Sequence, residues 1–261
     1  MSPFATLVNQ RELLLSLVLR DLRSRYAGSA AGLAWAIVNP LLSLAILTTV
    51  FSVVLKVRFG GGVEAPFPVA LAWGFFPWLA FQEGVARGTT ALADGGVLVK
   101  RLGLRPEILI AQPVLAAVLQ SLVGLAALTA LMPFAGVPLD VRLVFCAFPL
   151  LLQIALTLGL GWILGVAHVY LRDTAQLVVA VLQAWFYLTP IVYPLEIVPR
   201  ELRGVLALNP LSGIVQGFRA FALGTEIPWA SLAWSGTCAA AALALGSVAV
   251  VRARREIPDL V

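Results

Sequence analysis

Six stretches of this chain run for 18 or more residues without a single Asp, Glu, Lys or Arg: 26–55, 65–82, 108–139, 143–171, 174–195 and 227–251. A helix rises about 1.5 Å per residue, so roughly 20 apolar residues cross the hydrocarbon core of a bilayer. A seventh stretch, 204–218, has 15 residues and is too short. Charged residues make up 12% of the chain, against about 25% in a soluble domain. The reading is an all-α integral membrane protein with six transmembrane helices at 33–55, 68–90, 108–132, 143–168, 175–193 and 229–251, forming one domain over 1–261. Its short loops are marked by glycine or proline, as at Gly60-Gly61-Gly62 and Pro133 to Pro138.

A net charge of +5 and a pI near 9.8 raise nucleic acid as a partner. The basic residues, however, flank the apolar runs, where positive charge sets membrane orientation. With the N-terminus inside, twelve Lys and Arg fall on inner segments and six on outer ones, so both termini are expected in the cytoplasm. No short basic leader with a small-residue cleavage site is legible ahead of the first run, which is expected to act as an uncleaved signal anchor. Cys146 and Cys238 lie inside apolar runs and read as small hydrophobes. No internal repeat is visible, which counts against many secondary transporters.

Two segments that do not span carry information. Over 10–27, Leu14, Leu15, Val18, Leu19, Leu22 and Tyr26 share one helical face, with Ser16, Arg20 and Arg23 opposite. That pattern predicts an amphipathic helix on the cytoplasmic membrane surface; a plain basic flank is the alternative. Over 194–228, Pro199-Arg200-Glu201 and Asn209-Pro210 open two short helices, the second ended by Gly224. In that second helix Leu211, Ile214, Val215, Phe218 and Phe221 recur at helical spacing. Two apolar helices too short to cross predict a re-entrant outer hairpin; a hairpin resting on the outer interface is the alternative.

A phosphate-cradling loop needs Gly-Lys-Ser/Thr after glycine-rich backbone. The two lysines, Lys56 and Lys100, follow Leu55 and Val99, so no such ATP site is present in the sequence. Ion coupling usually needs ionisable residues inside spans. Glu83 is the one carboxylate well inside a predicted span, and Arg87 follows it at i+4, which reads as an ion pair. His168 has no Cys, Asp or Glu cluster in sequence with which to hold a metal. Aromatics crowd the second predicted span (Trp73, Phe75, Phe76, Trp78, Phe81) and the end of the fifth (Trp185, Phe186, Tyr187, Tyr193). They fit either interfacial anchoring or a pore whose flat rings stack on sugars, with Asn39, Gln153 and Gln183 as polar contacts.

Several blocks in a fixed order now carry a resemblance. They are Arg20-Asp21-Leu22-Arg23-Ser24-Arg25-Tyr26 followed by Gly32, Trp35 and Pro40; Phe67-Pro68 leading to Gly74-Phe75-Phe76-Pro77-Trp78; Leu98-Val99-Lys100-Arg101; Tyr170-Leu171-Arg172-Asp173; Thr189-Pro190-Ile191-Val192-Tyr193-Pro194; and Asn209-Pro210 with Phe218-Arg219. Over nearly the whole chain this resembles the transmembrane (permease) subunits of ABC-2 type polysaccharide exporters, which carry O-antigen, teichoic acid and some capsular glycans. The run of small residues from Ala27 to Ala31 departs from the bulkier ones usual there.

The resemblance implies a homodimer in the bacterial inner membrane, docked on two copies of a separate ABC ATPase that binds ATP and Mg, with no cofactor on this chain. The substrate implied is a polyprenyl-linked polysaccharide. The cytoplasmic segment 91–106, with Asp94, Lys100, Arg101 and Arg105, and Arg172 on the next inner loop, would couple to the ATPase. Arg20, Arg23, Arg25, Tyr26 and Trp35 would frame the cytoplasmic entrance. Trp73, Phe76, Trp78, Phe81, Gln183, Trp185, Tyr187 and Tyr193 would line the glycan path, and Asn209, Pro210, Phe218 and Arg219 would form the outer gate in 194–228. The runner-up is an ABC-2 exporter of a small drug or lipid. A self-sufficient secondary transporter and a membrane enzyme acting on polyprenyl lipids both lack the acid–base cluster they would need.

Overall fold

The structure is a computed structural model and describes residues 2–25, 34–59 and 65–257. Tyr26, the small run 27–31, Gly32 and the glycines at 60–62 lie outside the described residues. Among those described, the chain is helical throughout, with no strand.

Helix α1 (Pro3–Asn9) begins with Pro3 in its first turn and the Ser2 hydroxyl accepting from the Ala5 amide. Sequence patterning does not foresee it. Helix α2 (Arg11–Ser24) falls in the segment expected to be amphipathic; Leu14 and Val18 are buried, whereas Leu15 and Leu19, expected on the same face, are exposed along with Arg20 and Arg23. Helix α3 (Trp35–Thr48) continues into a π-helical turn over Thr49–Val54.

Helix α4 (Phe67–Asp94) is 28 residues long and forms the centre of the molecule, contacting α6 (Pro106–Leu131), α7 (Ala147–Tyr170) and α8 (Thr174–Leu188). The short α5 (Gly96–Leu102) follows α4 and closes on Gly103, whose φ of +61° favours a residue without Cβ. Two short helices, α9 (Arg200–Ala207) and α10 (Pro210–Leu223), precede α11 (Trp229–Ala253).

Among the described residues, four helical segments are long and apolar enough to cross a membrane: Ile37–Val54, Pro106–Leu131, Val141–Tyr170 and Trp229–Ala253. The other two expected spans are helical but differ. Helix α4 has the length, yet Gln82, Glu83 and Arg87 interrupt its inner half. Helix α8 is apolar but has 15 residues, because Thr189 precedes Pro190 and leaves helical geometry. The hairpin segment holds α9 and α10.

Between helices, lipid supplies no hydrophobic drive, so close packing and hydrogen bonds hold the bundle. Helices α7 and α11 approach closely: a Cβ on Gly159 would lie 2.4 Å from the Ala242 carbonyl carbon, and one on Gly246 would lie 2.5 Å from the Gly159 oxygen. Around Pro77 of α4, whose ring nitrogen has no proton to donate, neighbours add bonds to the backbone. Ser121 of α6 donates to the Phe76 carbonyl at 2.7 Å, and Gln153 of α7 donates to the Pro77 carbonyl at 2.8 Å. Helix α3 is held differently. None of its span is buried, and it leans mainly on α4.

Candidate functional site

At the inner half of α4, four charged side chains close into a ring. The Asp21 carboxylate accepts from both nitrogens of the Arg87 fork, at 2.6 and 3.0 Å, and from Arg25 Nε at 3.0 Å. On the other side Glu83 Oε1 accepts from Arg25 Nη1 and lies 3.5 Å from Arg87 Nη1. Arg25 also donates to Gln120 Oε1 of α6 at 2.8 Å. Two helical i,i+4 pairs, Asp21–Arg25 and Glu83–Arg87, thus cross-link α2 to α4 and α6. The expected ion pair within α4 is half of this ring, and Asp21 is the member that sequence reasoning quoted without assigning it a role. Its signal was present, since Asp21 stands four residues before Arg25 on one helix.

Glu83 and Gln120 also line a cavity of about 990 Å³ between α3, α4 and α6. Trp35, Asn39, Gln82 and Leu22 join them, as do Leu79 further along α4 and Val123, Leu128 and Leu131 further along α6. Of the residues expected at the entrance, Arg25 is in the ring and Trp35 is on the cavity wall. Arg20 and Arg23 are exposed, and Tyr26 is outside the described residues.

Below the ring, the inner ends of the helices are tied together. Glu107, wholly buried at the start of α6, takes a fork from Arg254 beyond α11 at 2.6 and 3.3 Å. Phe4 of α1 meets Trp162 edge-on at 5.4 Å. Arg105, expected among the coupling residues, donates to Thr6 of α1 at 2.9 Å. Asp94, Lys100 and Arg101 are exposed at the end of α4 and on α5, and Arg172 is exposed after α7. Among the described residues, no three of His, Cys, Asp and Glu gather so as to hold a metal ion.

The aromatic residues separate into two groups. Trp73, Phe76, Trp78 and Phe81 are buried in the core of this single chain. Trp78 packs edge-on against Phe186 at 5.5 Å, and Phe81 against Trp185 at 5.3 Å. On α8, Gln183 and Tyr187 are exposed, and the half-buried Tyr193 donates to the Tyr187 carbonyl at 2.8 Å.

The segment of α9 and α10 is fastened at two points. Asn209 caps α10 by accepting from the Leu211 amide at 3.0 Å, accepts from Trp185 Nε1 at 2.9 Å, and donates to the Leu188 carbonyl and the Thr189 hydroxyl. Pro210 follows in the first helical turn. Arg219, beside the buried Phe218, is itself buried and meets backbone instead of an acid. It donates to the carbonyls of Ala70 at 2.8 Å, Pro190 at 2.6 Å and Ile191, and its guanidinium carbon stands 4.4 Å from the centre of the Phe59 ring. Three segments therefore converge on one cation.

The ABC-2 type transporter family profile matches residues 12–223, from α2 through α10. The chain belongs to the ABC-2 type transporter family. It is accordingly a multi-pass membrane protein. Among the relatives of this ABC-2 chain is the O-antigen export system permease protein RfbA of Myxococcus xanthus, 28% identical over 96% of this chain and 95% of the relative. The permease of the same description from Klebsiella pneumoniae is 24% identical over 80% of this chain and 79% of its own length. The polysialic acid transport protein KpsM of Escherichia coli is 25% identical over 77% of each.

Proposed function

We propose that this chain is the membrane-spanning subunit of an exporter that moves a lipid-linked, O-antigen-like polysaccharide from the cytoplasm across the bacterial inner membrane. Two copies enclose the pore, and two copies of a separate ATPase supply the energy. Six crossings, with α4 and α8 joining the four apolar spans, keep both termini inside. The hairpin of α9 and α10 closes the outer end. What supports the glycan as cargo is likeness along almost the full length to a permease named for O-antigen export.

The geometry adds one observation. Gln176 and Gln183 on α8 are exposed on this protomer although their helix is otherwise apolar. Side-chain amides facing lipid are costly, so polar residues in spans normally face a partner or a watery path. A second copy covering α8 places those groups along such a path, where they meet hydroxyl-rich cargo.

Deleting the gene tests the reading. Surface polysaccharide should vanish while lipid-linked glycan accumulates inside, and the purified chain should release phosphate from ATP only with a partner ATPase. Intact surface glycan together with a failure to expel a small amphiphile would favour the drug or lipid exporter instead.

A further inference from the structure

We infer that the cavity between α3, α4 and α6 is a binding site for the lipid carrier, its hydrocarbon chain along the helices and its phosphate between Arg25 and Arg87 in place of Glu83. This rests on the proposed cargo, and it names where on the chain the carrier is held.

Three observations converge. First, the cavity is divided lengthwise. Gln82, Glu83 and Gln120 are on its wall, and Arg25, which does not itself line the cavity, donates to Glu83 and Gln120. Further along the same two helices the lining is apolar, with Leu79 on α4 and Val123, Leu128 and Leu131 on α6. From Gln120 to Leu131 helix α6 rises about 16 Å, a depth suited to a chain and too apolar for a sugar. At about 990 Å³ the space is at the upper end of ordinary ligand sites, about 300–1,000 Å³.

Second, the arginines already grip anions. Two guanidinium groups converge on Asp21 and on Glu83. Arginine forks match phosphate as they match carboxylate, by paired charge-assisted hydrogen bonds.

Third, the two acids differ in position. Glu83 lines the cavity, whereas Asp21, Arg25 and Arg87 do not. Withdrawing Glu83 leaves Arg25, Arg87 and Asp21 with one net positive charge behind the place on the wall that Glu83 vacates. Glu83 is therefore an internal stand-in for the ligand's phosphate, and Asp21 is the brace that keeps both arginines aimed. Gln120 supplies an amide beside the phosphate.

The full-length chain in lipid nanodiscs, probed with a photoreactive polyprenyl diphosphate, decides the matter. Crosslinks should map to α4 and α6 around the cavity. Ala127→Trp, which fills its apolar part, and Arg25→Gln should each weaken capture about tenfold. Glu83→Gln should strengthen it severalfold, an effect that a purely structural ring would not produce. Excess phosphatidylglycerol should compete poorly. Three results would each overturn the assignment: capture indifferent to Ala127→Trp, weakening by Glu83→Gln, or equal displacement by phosphatidylglycerol. Where Arg25→Gln fails to fold, the Ala127 and Glu83 variants still decide. Loss of surface glycan on gene deletion is read separately, so it can stand while this site fails.

Discussion

Glu107 at the start of α6 has no exposed surface, and Arg254, 147 residues later, holds it at 2.6 Å. The two members of this pair are not equivalent. Arg254 keeps 22% of its side chain exposed, so it can find water when its partner is removed. Glu107 cannot. Arg254→Ala strands a buried carboxylate and should cost about 3 kcal/mol, with Glu107→Gln costing clearly less. Thermal unfolding followed by size-exclusion in detergent measures both; equal losses would mean that the pair acts only through packing.

Arg219 should resist conservative replacement. Lysine keeps the charge but concentrates its donors at one point, and the three carbonyls belong to two segments, Ala70 on α4 and Pro190-Ile191 after α8. Arg219→Lys is expected to leave at least one carbonyl unmet, destabilising by roughly 1–3 kcal/mol. Export normalised to membrane protein level should fall with it, and full export by the lysine variant would contradict the account.

Asn209 joins α10 to the end of α8, and Asn209→Ala removes the cap together with the bonds to Trp185 and Thr189. A lost cap alone costs about 1 kcal/mol. With Cys146 and Cys238 changed to serine, a cysteine at the half-buried Gln216 should be labelled from outside, and faster in the Asn209→Ala background. A cysteine at the buried Ser212 should react slowly in the parent. Labelling from the cytoplasmic side would place the hairpin on the wrong face.

Lys100 and Arg101 are exposed on α5, where a soluble partner has access. Reversing both charges should reduce, without abolishing, co-purification of the ATPase, since exposed charges contribute under about 1 kcal/mol each. Unchanged recovery would move the docking surface elsewhere.

Gly159→Ala should be among the harshest small changes in the chain. Its methyl group would stand 2.4 Å from backbone of α11, which cannot rotate away as a side chain would. A loss of roughly 1–3 kcal/mol is expected, and a parent-like melting curve would show that α7 and α11 separate easily.

The long apolar spans were legible because a charge-free run states both length and environment. The fifth was overread: apolarity continues past Thr189, and only the restriction imposed by Pro190 ends α8 at Leu188. Helix α1 left no periodic trace, because Phe4 and Thr6 are fixed by Trp162 and Arg105, far away in sequence. The importance of Phe218-Arg219 was visible as a motif, but its partners are carbonyls, which every residue possesses. Tryptophan and phenylalanine on α4 look the same in sequence whether they face a pore, lipid or one another, and in the single chain they face one another.

Helix α8 leaves Gln176 and Gln183 without cover, and α3 buries none of its span against its own chain. A newly inserted copy therefore carries a mark of being alone, written in uncovered amide groups at membrane depth. That mark disappears once something packs over α8. The lifetime of each copy in the cell is thereby tied to the supply of what covers it, and a surplus made without that cover is left open to membrane proteases.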